Sequence, residues 1–144
     1  PIQNPRTAFL YSYSPGQHQS EQTAAVVAEI KVSGKRFTVI VTHLGNGGPA
    51  IQQEAVLKCA GAAENVILMG DFNSSPGEAA YQMAVGSLED SWLLAGGGKS
   101  DGREMKDHHR IDHIFVSPGT GVESSHYLIG PQSDHPALLT RIGW

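Results

Sequence analysis

The chain has 144 residues, 40% of them hydrophobic and 17% charged, with 10 Lys and Arg against 14 Asp and Glu for a formal charge of −4. That is one globular domain with enough apolar residues for a real core, which excludes a disordered chain. No apolar run is long enough for a membrane-spanning helix, and no basic run of the kind that grips a nucleic-acid duplex is present, so the balance tilts away from long polyanions without excluding a nuclease.

Thr7 to Tyr13 reads as a strand, closed by the turn signal Ser14-Pro15-Gly16. Ala24 to Val32 reads as a second strand, with Val26, Ala28, Ile30 and Val32 on one face against Glu29 and Lys31 on the other. Ser33-Gly34-Lys35 joins it to Arg36–Thr42 as an antiparallel hairpin that delivers His43 at its end. After the break Gly45 to Pro49, the apolar spacing Ile51, Ala55, Val56, Cys59, Ala60 and Ala63 predicts a helix over 50–63. Cys59 is the only cysteine, so no intrachain disulfide exists, and its place among alanines favours an apolar packing role.

Val66 to Met69 is a short buried strand that stops at Gly70-Asp71-Phe72-Asn73, with Pro76 beyond to prevent its continuation. On an extended segment Asp71 and Asn73 would share a face and point into one cleft. An Asx-type turn, in which both side chains cap local backbone, is an equal alternative from these residues alone. A short helix is predicted from about Gly77 to Val85 and an extended stretch from Ser87 to Leu94. Ala95 to His109 is a long loop expected at a cleft rim, and strands follow at Ile111–Ser117, Val122–Ile129 and Pro136–Ile142. Strands grouped in hairpins with only two helices predict a layered α/β (α+β) sandwich, mostly antiparallel, not a doubly wound sheet.

Four segments end an apolar run in an acid or an imidazole: Thr42-His43-Leu44, Gly70-Asp71-Phe72-Asn73, Ile111-Asp112-His113-Ile114-Phe115 and Ser133-Asp134-His135-Pro136-Ala137-Leu138. Carboxylates and carboxamides are hard oxygen donors of the kind Mg²⁺ prefers, and neighbouring histidines suit proton transfer to a phosphate. Neither a cysteine pair nor an HExxH pattern is present to build a closed zinc site.

In this order the four motifs resemble the endonuclease/exonuclease/phosphatase superfamily, the DNase I-like metal-dependent phosphoesterases, over nearly the whole chain. The resemblance implies a Mg²⁺ (or Mn²⁺) dependent phosphoric ester hydrolase. Asp71 would orient the attacking water and Asn73 would hold a phosphoryl oxygen or border the metal. His43 would donate to the phosphate. Asp134 would join Asp71 and Asn73 as a metal ligand. His135 would contact the scissile phosphate or move a proton, with Asp112 behind it. Asp134 and His135 can share a cleft only if the backbone there is irregular.

The implied substrates are a nucleic acid, a phospholipid head group or an inositol phosphate. His113 occupies a position that is often aromatic in such proteins, and His108 and His109 read as loop residues. Arg110 is expected to reach a phosphate or to form a surface salt bridge. His18 and His126 are expected at the surface, and Trp92 and Trp144 in packing.

Members of the superfamily carry two earlier motifs, one with an asparagine and one with a metal-binding glutamate. None of Glu21, Glu29 or Glu54 stands in a matching context, and the chain starts at Pro1, without methionine. The expectation is therefore that residues 1–144 are the C-terminal portion of a single domain whose N-terminal part is missing. Weak metal binding, little turnover alone, and association with itself or with the missing segment through an exposed sheet edge are expected with it. The alternative reading is a catalytically silent relative used as a binding or scaffold module. Retention of six polar positions around the implied site argues against it.

Overall fold

The computed structural model describes residues 2–11, 22–97, 99–100, 103–104 and 110–143. A six-stranded mixed sheet runs in the order β1-β2-β3-β4-β8-β5. Its strands are β1 (Ile2–Tyr11), β2 (Gln22–Val32), β3 (Lys35–His43), β4 (Val66–Asp71), β5 (Glu89–Asp90) and β8 (Asp112–Val116). A separate hairpin pairs β9 (Gly121–Leu128) with β10 (Ala137–Gly143), and two-residue strands β6 (Lys99–Ser100) and β7 (Arg103–Glu104) pair with each other. Helices α1 (Ala50–Lys58), α2 (Ala79–Val85) and α3 (Ser91–Leu94) complete the elements. Among the described residues only the β3–β4 pair is parallel, so the layered, mostly antiparallel α/β architecture read from the sequence is the one observed.

Local chemistry accounts for the connections. Ser33 and Gly34 both have positive φ, 49° and 83°, which is the primed turn whose twist matches a two-residue hairpin. A parallel β3–β4 pair needs a crossover, and α1 supplies it. Leu10, Ala25, Val27, Ile40, Val56, Leu68, Phe72, Tyr81 and Phe115 form the core between the sheet and helices α1 and α2.

Three expectations are corrected. On β2 the core takes Ala25 and Val27, while Val26 is 52% exposed. The run Ala24 to Ala28 is apolar at both parities, so alternation could not choose the face. Helix α1 stops at Lys58, and Gly61 turns the chain with φ 57°. Its buried residues are Gln52, Gln53 and Val56, while Ile51 faces out. Gln52 belongs inside because its Oε1 accepts the Gly45 N–H at 2.7 Å and so satisfies a buried loop amide. The 87–94 stretch is not extended throughout. After β5, Asp90 caps α3 by accepting the Trp92 N–H at 2.9 Å.

Ser14-Pro15-Gly16, His18, Glu21, most of the 95–109 loop including His108 and His109, and Trp144 lie outside the described residues. Among the described residues no helix is long and apolar enough to cross a membrane.

Candidate active site

The register brings the motif residues to one end of the sheet: His43 pairs with Asp71 across β3–β4, and Asp71 with Asp112 across β4–β8. Close strand approach is possible there because of Gly70, which has φ 143°; a Cβ at this position would stand 1.8 Å from the Thr42 carbonyl oxygen. Before β10 begins at Ala137, residues 131–136 are turn and bend rather than strand, and this irregular segment carries His135 back over the same end.

Asp71 and Asn73 do not converge through strand pleating. The strand ends at Asp71, Phe72 is buried, and Asn73 sits in the left-handed region at φ 45°. One Asp71 oxygen, Oδ1, accepts the Asn73 backbone N–H at 2.8 Å, which is the Asx turn. The Asn73 side chain donates to the Leu44 carbonyl at 2.9 Å and lies 3.3 Å from His43 Nε2. The other Asp71 oxygen, Oδ2, faces His43 at 3.3 Å and His135 at 3.8 Å. The local turn and the cleft-facing carboxylate are thus one arrangement, with a different oxygen serving each. Gly48 lets the loop after His43 pack on this turn, since a Cβ there would lie 2.8 Å from the Phe72 carbonyl oxygen.

His135 Nδ1 lies 2.8 Å from Asp112 Oδ2. That hydrogen bond, followed by the Asp112 charge, raises the His135 pKa above its ordinary value. Asp112 is itself raised, first by burial and then by the neighbouring Asp71 charge, while its bond to His135 works the other way. Asp71, Asp112 and His135 each offer a ligand atom, and the three atoms lie within 4.8 Å of one another. Two hard carboxylates beside an imidazole held by one of them fit a divalent cation that keeps most of its waters. The metal set expected from the sequence was Asp71, Asn73 and Asp134; the converging set is Asp71, Asp112 and His135, and Asp134 stands exposed in the turn before His135. A cleft of about 450 Å³ opens beside these groups, walled by Val41, Met69, Ile114 and Leu138.

Arg110 neither reaches the cleft nor lies at the surface: it is 1% exposed and ion-paired with Asp90. Its guanidinium stacks 4.0 Å above the Trp92 ring, and the same Asp90 oxygen accepts the Tyr81 hydroxyl at 2.9 Å. A charge so buried must be paired, and this one is. Burial lifts the Tyr81 hydroxyl far above its ordinary value and pushes that of Tyr127 up to about 12. His113 is buried and its pKa is lowered, first by desolvation, so it stands neutral among Phe72, Tyr81 and Phe115. His126 is exposed and Trp92 is a packing residue, as expected. Asp90, Gln52 and Tyr127, whose hydroxyl donates to the Asp112 carbonyl, were not singled out from sequence. Only Asp90 had a signal, an acid directly before the Ser-Trp-Leu-Leu segment, which is a helix-capping pattern.

A sequence model described as the endonuclease/exonuclease/phosphatase family matches residues 8–135. No curated protein matches the chain. Among solved structures, a mannosyl-6-phosphatase from Bacteroides thetaiotaomicron is 20% identical with a TM-score of 0.72, over 96% of this chain and 66% of that one. The human Nocturnin catalytic domain with bound sulfate is 24% identical with a TM-score of 0.68, over 96% and 59%. D. rerio TDP2 with a single-strand DNA product is 16% identical with a TM-score of 0.64, over 99% and 69%. At these identities the likeness shows the fold, and the chain spans roughly two thirds or less of the first two structures' length.

Proposed function

This chain belongs to the endonuclease/exonuclease/phosphatase family, and on that premise we propose that it carries the hydrolytic site of a metal-dependent phosphoesterase. The observation that supports this most is the convergence of Asp71, Asp112 and His135 within 4.8 Å. A structural strand end has no need to hold two carboxylates so close, because like charges repel at a cost in stability.

Asp71 Oδ2 is the base. Its partner oxygen is occupied by the Asn73 amide, so the carboxylate is held with Oδ2 toward the cleft. A water oxygen attacks phosphorus, its proton passes to Asp71, and the P–O bond to the alcohol breaks. The leaving oxygen or a phosphoryl oxygen takes a proton from His135, which Asp112 keeps charged through Nδ1 while the ring's other nitrogen is left for substrate. His43 and the Asn73 amide lie beside Asp71 and donate to the remaining phosphoryl oxygens. Asp71 and Asp112, with Asn73 and Asp134 at the margin, would hold a Mg²⁺ or Mn²⁺ ion, which would supply charge neutralisation on the phosphoryl group.

The chain is read as the C-terminal portion of one such domain, its turnover alone being small. The neighbours' names include a sugar phosphatase and a protein with a DNA product, so a nucleic acid, a phospholipid head group and an inositol phosphate are all tested as substrates. The test is EDTA-sensitive hydrolysis by the full-length polypeptide that contains this chain. The reading expects loss of turnover in Asp71→Asn and His135→Ala with an unchanged melting temperature. Undiminished turnover in the double variant would overturn the assignment of the site to these residues, and no hydrolysis of any ester with Mg²⁺ or Mn²⁺ present would give way to the binding-module reading.

A further inference from the structure

Strand β8 presents adjacent residues to opposite sides. Asp112 points to the cleft, whereas His113 points into the layer between sheet and helices, where its side chain is wholly buried. Its ring stacks on Phe115 at 5.2 Å and meets Tyr81 at 5.0 Å and Phe72 at 5.7 Å. A phenyl ring would fill the same hole, so packing does not require an imidazole. The imidazole adds a polar contact that a phenyl ring lacks: Nε2 lies 2.9 Å from the Ser74 carbonyl oxygen. A carbonyl oxygen only accepts, so the proton is on Nε2. The other nitrogen, Nδ1, is 4.0 Å from Asp90 Oδ2, too far for a hydrogen bond.

Ser74 closes the turn that begins at Asp71. Backbone pairing between β4 and β8 ends at Asp71 and Asp112, with one further bond from Phe72 N–H to the Ile111 carbonyl. Past that point the His113–Ser74 bond is a side-chain strap between the turn and β8. One end of it is the residue after Asp112, and the other is three residues after Asp71.

We infer that His113 is a positioning residue: its Nε2–H bond to Ser74 holds the Asp71–Asn73 turn against β8 and so sets the spacing of the two cleft carboxylates. The consequence for cation binding rests on the functional reading above; the strap itself does not. Groups that orient the carboxylates around a cation typically change its affinity when removed, and the effect here is read on Mn²⁺ alone.

The test compares His113→Phe, which keeps the ring and loses the donor, with His113→Gln, whose amide nitrogen can stand where Nε2 stood. The first readout is hydrogen exchange at the Asn73 amide, which donates to Asp71 Oδ1 and so reports the carboxylate's seat. His113→Phe is expected to speed that exchange about three- to tenfold, as loss of one buried hydrogen bond would, with the Leu68 amide unchanged. The Mn²⁺ dissociation constant should rise about tenfold. His113→Gln should restore both. Exchange and affinity unchanged in His113→Phe, equal acceleration at Leu68, or failure of His113→Gln to restore either would overturn the inference. If the unaltered chain binds no Mn²⁺, the metal part of the functional reading fails, and exchange at Asn73 still decides the strap.

Discussion

Two charged clusters lie two residues apart along the chain leading into β8, and they are built on opposite terms. Arg110 and Asp90 have side chains 1% exposed, and every charge there meets a partner: an ion pair, the Tyr81 hydroxyl, the Trp92 amide and the Trp92 ring. Asp71, Asp112 and His135 are 14%, 22% and 40% exposed, and two acids share one imidazole. The sealed cluster is shut away from solvent around one ion pair. The open one keeps like charges together and leaves atoms facing a cleft. Charge that is fully paired and buried serves the fold, while charge left crowded and half-open is available for chemistry.

That contrast predicts opposite responses to single substitutions. Asp71→Asn should lower turnover of the full-length polypeptide by about 100- to 10,000-fold, the range for loss of a positioned base, while equilibrium unfolding moves little. Arg110→Met should do the reverse, with about 3–5 kcal/mol of stability lost in urea unfolding because Asp90 is left buried and unpaired. A small loss there, or a large one in Asp71→Asn, would erase the distinction.

Titration gives a finer probe. The folded His135 pKa is raised, so its stabilising contribution is complete below the ordinary imidazole value, about 6.5, and is lost as pH rises through the folded value. NMR titration of the His135 ring should find a midpoint above that ordinary value. Asp112→Asn should lower the midpoint and flatten this part of the pH–stability curve. The smallest effect belongs to a third kind of charge, the exposed pair Arg36–Glu29 at 3.0 Å. Glu29→Gln should cost under about 1 kcal/mol in the same unfolding assay, and less in high salt.

The open cluster was the more legible of the two in sequence. Its acids and imidazoles stand at the ends of apolar runs, and four such endings in order point to residues that the register gathers at one end of the sheet. Local geometry was less legible. Asp71 and Asn73 could be a turn or a cleft pair, and they are both, because a carboxylate has two oxygens to divide between the roles. The sealed cluster was nearly invisible: Arg110 reads as a surface cation until Asp90, Tyr81 and Trp92 are seen to surround it, and these partners come from three other elements. Core faces failed for a related reason. An apolar stretch such as Ala24 to Ala28 fits either side of a strand, and only the helices decide which side is inside.

The most direct test of the open cluster as a cation and phosphate site is paramagnetic broadening of the chain's NMR signals by added Mn²⁺. Resonances of Asp71, Asp112 and His135 and their neighbouring amides should fade first, and Asp71→Asn should abolish the effect. Broadening centred on the exposed acids Glu54, Glu64 or Glu123, or a pattern unchanged by Asp71→Asn, would contradict it.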